Sequence, residues 1–209
     1  MKSNYEKKIE EVKNKPGLRL SLGRFDGQKI VMRPVTKADV ENRKLIASLA
    51  NWRREYSYWF PGQFKVTLKG TETWLDKLVV KNPDRILFVI EDEKGRVHGH
   101  LGFYRYDSKE KSCELDNVVR GTNDFPGMMT AACKKLTLWG FDNLGIKKLY
   151  LTVFADNQRA TTLYKRCGFV ELEKIPLKKV TREGGIYWEE AGKNDKIQRY
   201  NLRMQYARS

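Results

Sequence analysis

Histidine is nearly missing from this chain, with two in 209 residues, and cysteine is scarce, with three. Cys113, Cys133 and Cys167 stand far apart, with no CxxC pair and no His cluster beside them, so no metal ligand is assigned. Their odd number and wide spacing give no disulfide framework, and all three read as buried free thiols. No apolar run approaches the roughly 20 residues of a membrane span. The opening MKSNYEKKIEEVKNKPG also lacks the apolar centre of a secretion signal. A cytoplasmic address without a membrane partner is the expectation that follows. Long polar or Pro/Ser-rich linkers are missing too, which leaves one folded domain as the simplest count.

What is present supports a sizeable core, with 40% hydrophobic and 11% aromatic residues. Lys and Arg number 41 against 26 Asp and Glu, a formal charge of +15 that favours anionic partners. The basic residues are spread out, and Lys7-Lys8, Lys134-Lys135, Lys147-Lys148 and Lys178-Lys179 are only pairs. A nucleic-acid module would show a basic run with interleaved aromatics, so nucleic acid is not an expected partner.

The stretch from Cys113 to Glu171 organises the rest. Glu114–Arg120 reads as a strand, and Gly121-Thr-Asn-Asp-Phe-Pro-Gly127 as a turn-rich loop. A helix then carries Met128, Met129, Ala132, Leu136 and Trp139 towards Gly140 and Gly145. Lys148–Phe154 is a second strand, and a further helix opens at Asn157 and stops at Gly168. A loop that delivers free backbone N–H groups to a helix start is a ready anion site.

On either side the pattern is less regular. Residues 3–14 suit a short charged helix ended by Pro16-Gly17, a frayed or partner-facing arm. Asp26-Gly27 joins two strands as a hairpin turn. Residues 1–27 are thus read as an arm with a first strand, and 28–209 as the main domain. Thr36-Lys-Ala-Asp39 resembles a capping box at the start of a helix holding Val40, Leu45, Ile46 and Leu49. A second helix is expected over Thr71–Lys81. Arg85–Glu91 is apolar enough for a strand covered on both faces. Gly99 and Gly102 mark a bulge or a close approach in the next strand. Residues 175–198 look like a long hairpin, and 199–204 like a closing strand.

Asn157-x-x-Ala160-x-x-Leu163-Tyr164-x-x-x-Gly168-Phe169, with Arg120-Gly121 and Pro126-Gly127 upstream, resembles the central half of GNAT-type N-acetyltransferases. The loop before Met128 is longer than that family's usual pyrophosphate loop. The resemblance implies an α+β fold: one three-layer αβα domain around a mixed, mostly antiparallel twisted sheet splayed at its centre. It implies acetyl-CoA as co-substrate and a small-molecule primary amine as acceptor. It places the cofactor on the backbone of Asn117, Val118 and Val119, on Arg120, on the amides of Gly127, Met128, Met129 and Thr130, and on Asn157. It makes Tyr164 the acid that protonates the departing thiolate. The first-helix to second-helix region, with Trp52, Arg53, Tyr56 and Trp59, becomes the acceptor wall.

Glu114 and Asp116 share one strand face and are the candidate bases, with His98 and His100 behind them. Among acceptors, a nucleotide-linked amino sugar suits the positive charge and the aromatic–arginine cluster. A protein or ribosomal N-acetyltransferase is the rival within the fold, and a non-catalytic acyl-CoA- or nucleic-acid-binding module is the rival outside it. A homodimer paired through the aromatic tail between 176 and 198 is the oligomer the sequence allows.

Overall fold

In the computed structural model, residues 3–15, 17–182 and 184–208 are described. Ten strands form one sheet in the order β1-β2-β4-β5-β6-β7-β10-β8-β9-β3. Strands β1 (Leu20–Phe25) and β2 (Gln28–Pro34) are joined at Asp26-Gly27, both at positive φ as a tight hairpin turn requires. Strand β4 (Ile86–Glu91) is buried at every position, which explains its unbroken apolar sequence. Next come β5 (Val97–Asp107) and β6 (Ser112–Arg120), then β7 (Lys148–Phe154). The only parallel pairing among the described strands is β6 with β7.

Helices cover both faces, giving three layers. On one face α2 (Arg43–Glu55), α3 (Leu68–Trp74) and the turn that continues it pack Leu45, Leu49, Trp52 and Leu75 onto Leu87, Val89 and Val119. On the other, α4 (Met128–Leu144) packs Met128, Ala132 and Leu136 with Phe88, Leu101, Phe103 and Leu115. The apolar residues of the strands supply both faces of the core, and α5 (Gln158–Arg166) joins the α4 side through Tyr164. No helix among the described residues is long and apolar enough to cross a membrane.

Three local readings change. The Thr36–Asp39 capping box exists but opens only a 3-10 turn, Lys37–Glu41, and α2 starts afresh at the Asn42 cap. Trp52 and Arg53 are therefore helical. The second helix starts earlier than expected, at Leu68, and widens into a π-helical segment, Leu75–Val80. The N-terminal helix α1 (Asn4–Asn14) is not a frayed arm: Tyr5 and Ile9 belong to the main core, and Tyr5 stacks on Tyr106 at 4.0 Å. Lys13 donates to the carbonyls of Val79 (2.6 Å), Val80 (3.1 Å) and Asn82 (2.6 Å). An ammonium thus closes the open C-terminus of the π segment. Pro16, expected to help end this helix, lies outside the described residues.

The far end of the sheet is the hairpin β8 (Phe169–Arg182) and β9 (Gly185–Glu190), extended by the short β3 (Gly62–Phe64). Strand β10 (Arg199–Tyr206) inserts between β7 and β8.

Candidate active site

Strands β6 and β7 pair only over Ser112–Glu114 against Lys148–Tyr150. Beyond that point β6 stays with β5 while β7 stays with β10, so the sheet opens between them. Backbone groups on the two inner edges lose their ladder partners, and unpaired N–H and C=O groups call for a ligand or water. Inside the opening Asn117 and Val118 stand opposite Leu101 alone, because His100 pairs with Val119 and Gly102 with Asp116. This is a β-bulge with Asn117 at φ 52. Asparagine tolerates that left-handed backbone better than most residues. Gly99 and Gly102 are required close by, since a Cβ would fall 2.6 Å from the Val119 carbonyl oxygen and 2.0 Å from that of Ile86.

The opening ends at the loop 121–127 and the start of α4. His98 anchors this loop. Its carbonyl accepts from the amides of Gly121 (2.8 Å) and Thr122 (3.2 Å), and its ring lies between Asp92 Oδ2 (3.2 Å) and Thr122 Oγ1 (3.0 Å). Arg120 turns back and donates to the carbonyls of Thr122 (2.9 Å), Asn123 (2.8 Å) and Asp124 (3.3 Å). Carbonyls are drawn towards the guanidinium. The amides of Gly127, Met129 and Thr130 have no acceptor among the described residues, whereas those of Met128 and Ala131 do. Gly127 caps the helix at φ 85, and no side chain hydrogen-bonds the helix start. Free amides at the positive end of a 17-residue helix fit a pyrophosphate.

Across the opening, Asn157 caps α5 by accepting from the Ala160 amide at 3.1 Å. Tyr164 follows on the same helix face, buried, edge-on to Phe169. Burial, then the neighbouring Cys133 and Asp116, hold its phenol far above the ordinary range. It is a proton donor at any physiological pH.

Both candidate carboxylates are engaged. Asp116 pairs with Arg85 (3.1 Å) and accepts from Asn117 Nδ2 (2.6 Å), and Glu114 accepts from Arg105 (2.9 Å). Asp156, at the end of β7, holds Arg199 through two 2.9 Å bonds. These arginines were not expected as site residues. Arg85 and Asp116 are 31 positions apart and meet through strand register, which spacing alone does not reveal.

His100 is buried against Trp52, its Nδ1 without a partner. Burial lowers it from 6.5 to about 4, against a weaker upward pull from the Asn117 backbone. The imidazole is therefore neutral at pH 7. A folded pKa below the unfolded one means that the native state binds fewer protons between pH 6.5 and 4. Stability is present above 6.5 and is lost as pH falls through this window, by on the order of 3 kcal/mol. Urea unfolding from pH 7 to pH 4 should show this loss, and a His100→Leu variant should show a curve shallower by about that amount.

The segment after Trp52 spans both lips of the opening. Trp52 packs flat on Gly121, where a Cβ would lie 2.1 Å from the indole. It is buried rather than offered to solvent. Tyr56 closes the end of α2, and burial, with Glu55 beside it, pushes its phenol above the ordinary value. The Tyr58 carbonyl accepts from Arg199 Nη1 (3.3 Å), and Trp59 is exposed, edge-on to Tyr58. Arg53 donates to the Gly62 carbonyl and lies 3.9 Å over Phe60.

Known proteins bear on this arrangement. The family model described as an acetyltransferase (GNAT) domain matches residues 29–170. A spermidine N(1)-acetyltransferase of Vibrio cholerae is 26% identical over 142 residues, 68% of this chain and 79% of that protein. The spermidine N(1)-acetyltransferase of Escherichia coli K12 is 24% identical over 140 residues, 67% of this chain and 72% of that one. A crystal structure of the Vibrio cholerae spermidine N-acetyltransferase in complex with CoA and spermine superposes with a TM-score of 0.64 at 19% identity, over 84% of this chain and 94% of that one. The family match covers the splayed strands, the loop and the helix start that receives it. The chain belongs to the GNAT family of acetyltransferases and is an acetyl-CoA-dependent N-acetyltransferase by that membership.

Proposed function

We propose that this chain transfers an acetyl group directly from acetyl-CoA to a primary amine of a small molecule, in the opening between β6 and β7. The observation that carries this reading is that the opening ends on unengaged amides at the α4 N-terminus. Gly127, Met129 and Thr130 take the pyrophosphate, and the bulged edge at Asn117, Val118 and Val119 takes the amide-bearing arm. Acetyl-CoA supplies the activated thioester. Tyr164 gives its proton to the departing sulfur. Asp116, paired with Arg85 and bonded by Asn117, takes one proton from the incoming ammonium, and the nitrogen's second proton replaces the one Tyr164 gave up; Glu114, tied to Arg105 farther down the strand, has no part in this scheme.

A nucleotide-linked amino sugar is the acceptor that this cleft suits best. A polycation needs uncompensated carboxylates along its path, yet Asp116, Glu114 and Asp156 each carry an arginine. The chain as a whole is strongly positive. A polyamine acceptor is the second reading, favoured by the spermidine-acetylating relatives. Thiol release from acetyl-CoA with UDP-linked amino sugars and with spermidine, at equal concentration and low salt, separates them. The amino sugar should give a kcat/KM at least about tenfold higher. Faster turnover of spermidine would reverse the choice.

A further inference from the structure

Most arginines around the cleft are neutralised by a carboxylate: Arg85 by Asp116, Arg105 by Glu114, Arg199 by Asp156, Arg203 by Glu173. Arg53 is different. It is half-buried in the last turn of α2, and no ion pair is formed to it among the described residues. Its Nη2 donates to the Gly62 carbonyl, while Nη1 is buried with no partner. Phe60 and Phe64 hold the plane of the guanidinium at 3.9 and 4.9 Å. With no acid nearby, burial lowers the group to about 10, and it stays charged at pH 7.

A held, charged, incompletely bonded guanidinium is costly to keep unless something completes it. Its planar fork suits a carboxylate or a phosphate. Its place matters too. Trp52, one residue before, packs on Gly121 at the β6 lip, and Tyr58, five residues on, is tied through Arg199 and Asp156 to the β7 lip. Arg53 therefore stands on the segment that runs between the contacts to the two lips.

The geometry points to Arg53 as a specificity residue that receives an anionic group of the acceptor, a phosphate or a carboxylate borne at a distance from the reacting amine. This rests on the transferase reading above and adds to it the chemical class of the acceptor. Arg53 is a binding residue here and touches none of the reacting atoms.

The test uses matched amines differing by one distal anionic group: glucosamine against glucosamine 6-phosphate, and 2-phenylethylamine against 4-(2-aminoethyl)benzoate. Initial rates of thiol release at saturating acetyl-CoA give kcat/KM for each in the wild type, Arg53→Gln and Arg53→Lys. The wild type should prefer the anionic member of at least one pair by about tenfold or more, expressed in KM. Arg53→Gln should bring that ratio near one, and Arg53→Lys should restore part of it. A purely structural role, through the Gly62 contact, would slow both members equally and would overturn the assignment. So would a preference that survives in Arg53→Gln, or a wild type that prefers neither member. A rise in KM for acetyl-CoA instead would assign the guanidinium to that molecule's phosphates and equally overturn it. Should Arg53→Gln not fold, the Lys variant alone decides, because a merely structural residue would leave its ratio at the wild-type value. If no member of either pair is turned over, the subsite is rejected; if acetyl-CoA also fails to bind by calorimetry, the transferase reading falls with it.

Discussion

Gly127→Glu protein is expected to fold normally and to bind acetyl-CoA at least about 100-fold more weakly than the wild type, a loss of about 2.7 kcal/mol. The new side chain has room: a Cβ at Gly127 meets only Phe25, at 3.9 Å. Its backbone, at φ 85, costs a non-glycine residue about 1–2 kcal/mol, which is a few degrees of melting temperature and not a collapse. The carboxylate, however, emerges at the N-cap of α4, where glutamate can turn onto the unengaged amides of Met129 and Thr130. It supplies internally the anion that this site otherwise takes from the ligand, and it repels a pyrophosphate brought from outside. Gly127→Ala separates the two effects, since it carries the backbone cost without the charge and should lose less than about tenfold. Calorimetric titration of the three proteins with acetyl-CoA is the measurement. Binding by the Glu variant within tenfold of wild type would mean that the helix start is not the pyrophosphate site.

How far the sequence foretold this site depends on which interactions are local. Strand β7 was legible to the residue because its signal, β-branched and aromatic residues between Gly145 and the Asn157 cap, lies within the segment itself. The α4 and α5 starts were legible for the same reason: a Pro-Gly turn and an Asn cap act over three or four positions. The Thr36–Asp39 box shows the limit. The local bonds form as the motif promises, with Asp39 accepting from the Thr36 amide at 2.8 Å, yet Asp39 is also claimed by Arg33 and the helix restarts at Asn42. A tertiary ion pair outweighed a local signal. Strand β3 is three residues long and exists because β9 offers it an edge, so its own sequence says little. The bulge at Asn117 also depends on register: it arises where Gly102 faces Asp116 and His100 faces Val119. The same holds for the arginines that neutralise Asp116, Glu114 and Asp156. Residue types at the site were readable; the partners that strand register gives them were not.

Tyr164→Phe should lower kcat by about 100-fold or more while leaving KM for acetyl-CoA within about threefold. Removing one hydroxyl keeps the ring edge-on to Phe169 and its place in the core, so little stability is at stake. What is lost is the proton for the departing sulfur, an interaction made only as the thioester breaks, and such a loss falls on kcat rather than on binding. The environment supports this role in a checkable way. Burial foremost, then Cys133, Asp116 and Cys167, all push the phenol upward, so it remains protonated well past the pH where free tyrosine ionises. An acid whose pKa is raised retains its donor form as pH rises, so the wild-type kcat should show no alkaline fall from Tyr164 below about pH 10. An ordinary, solvated tyrosine acting as the acid would start to fail near its own pKa of about 10. A Phe variant within threefold of the wild-type kcat would remove Tyr164 from the chemistry and leave it as packing between α5 and β8. A wild-type profile that falls with an apparent pKa near 9, and loses that limb in the Phe variant, would keep the tyrosine as acid but contradict an upward push on the phenol by burial.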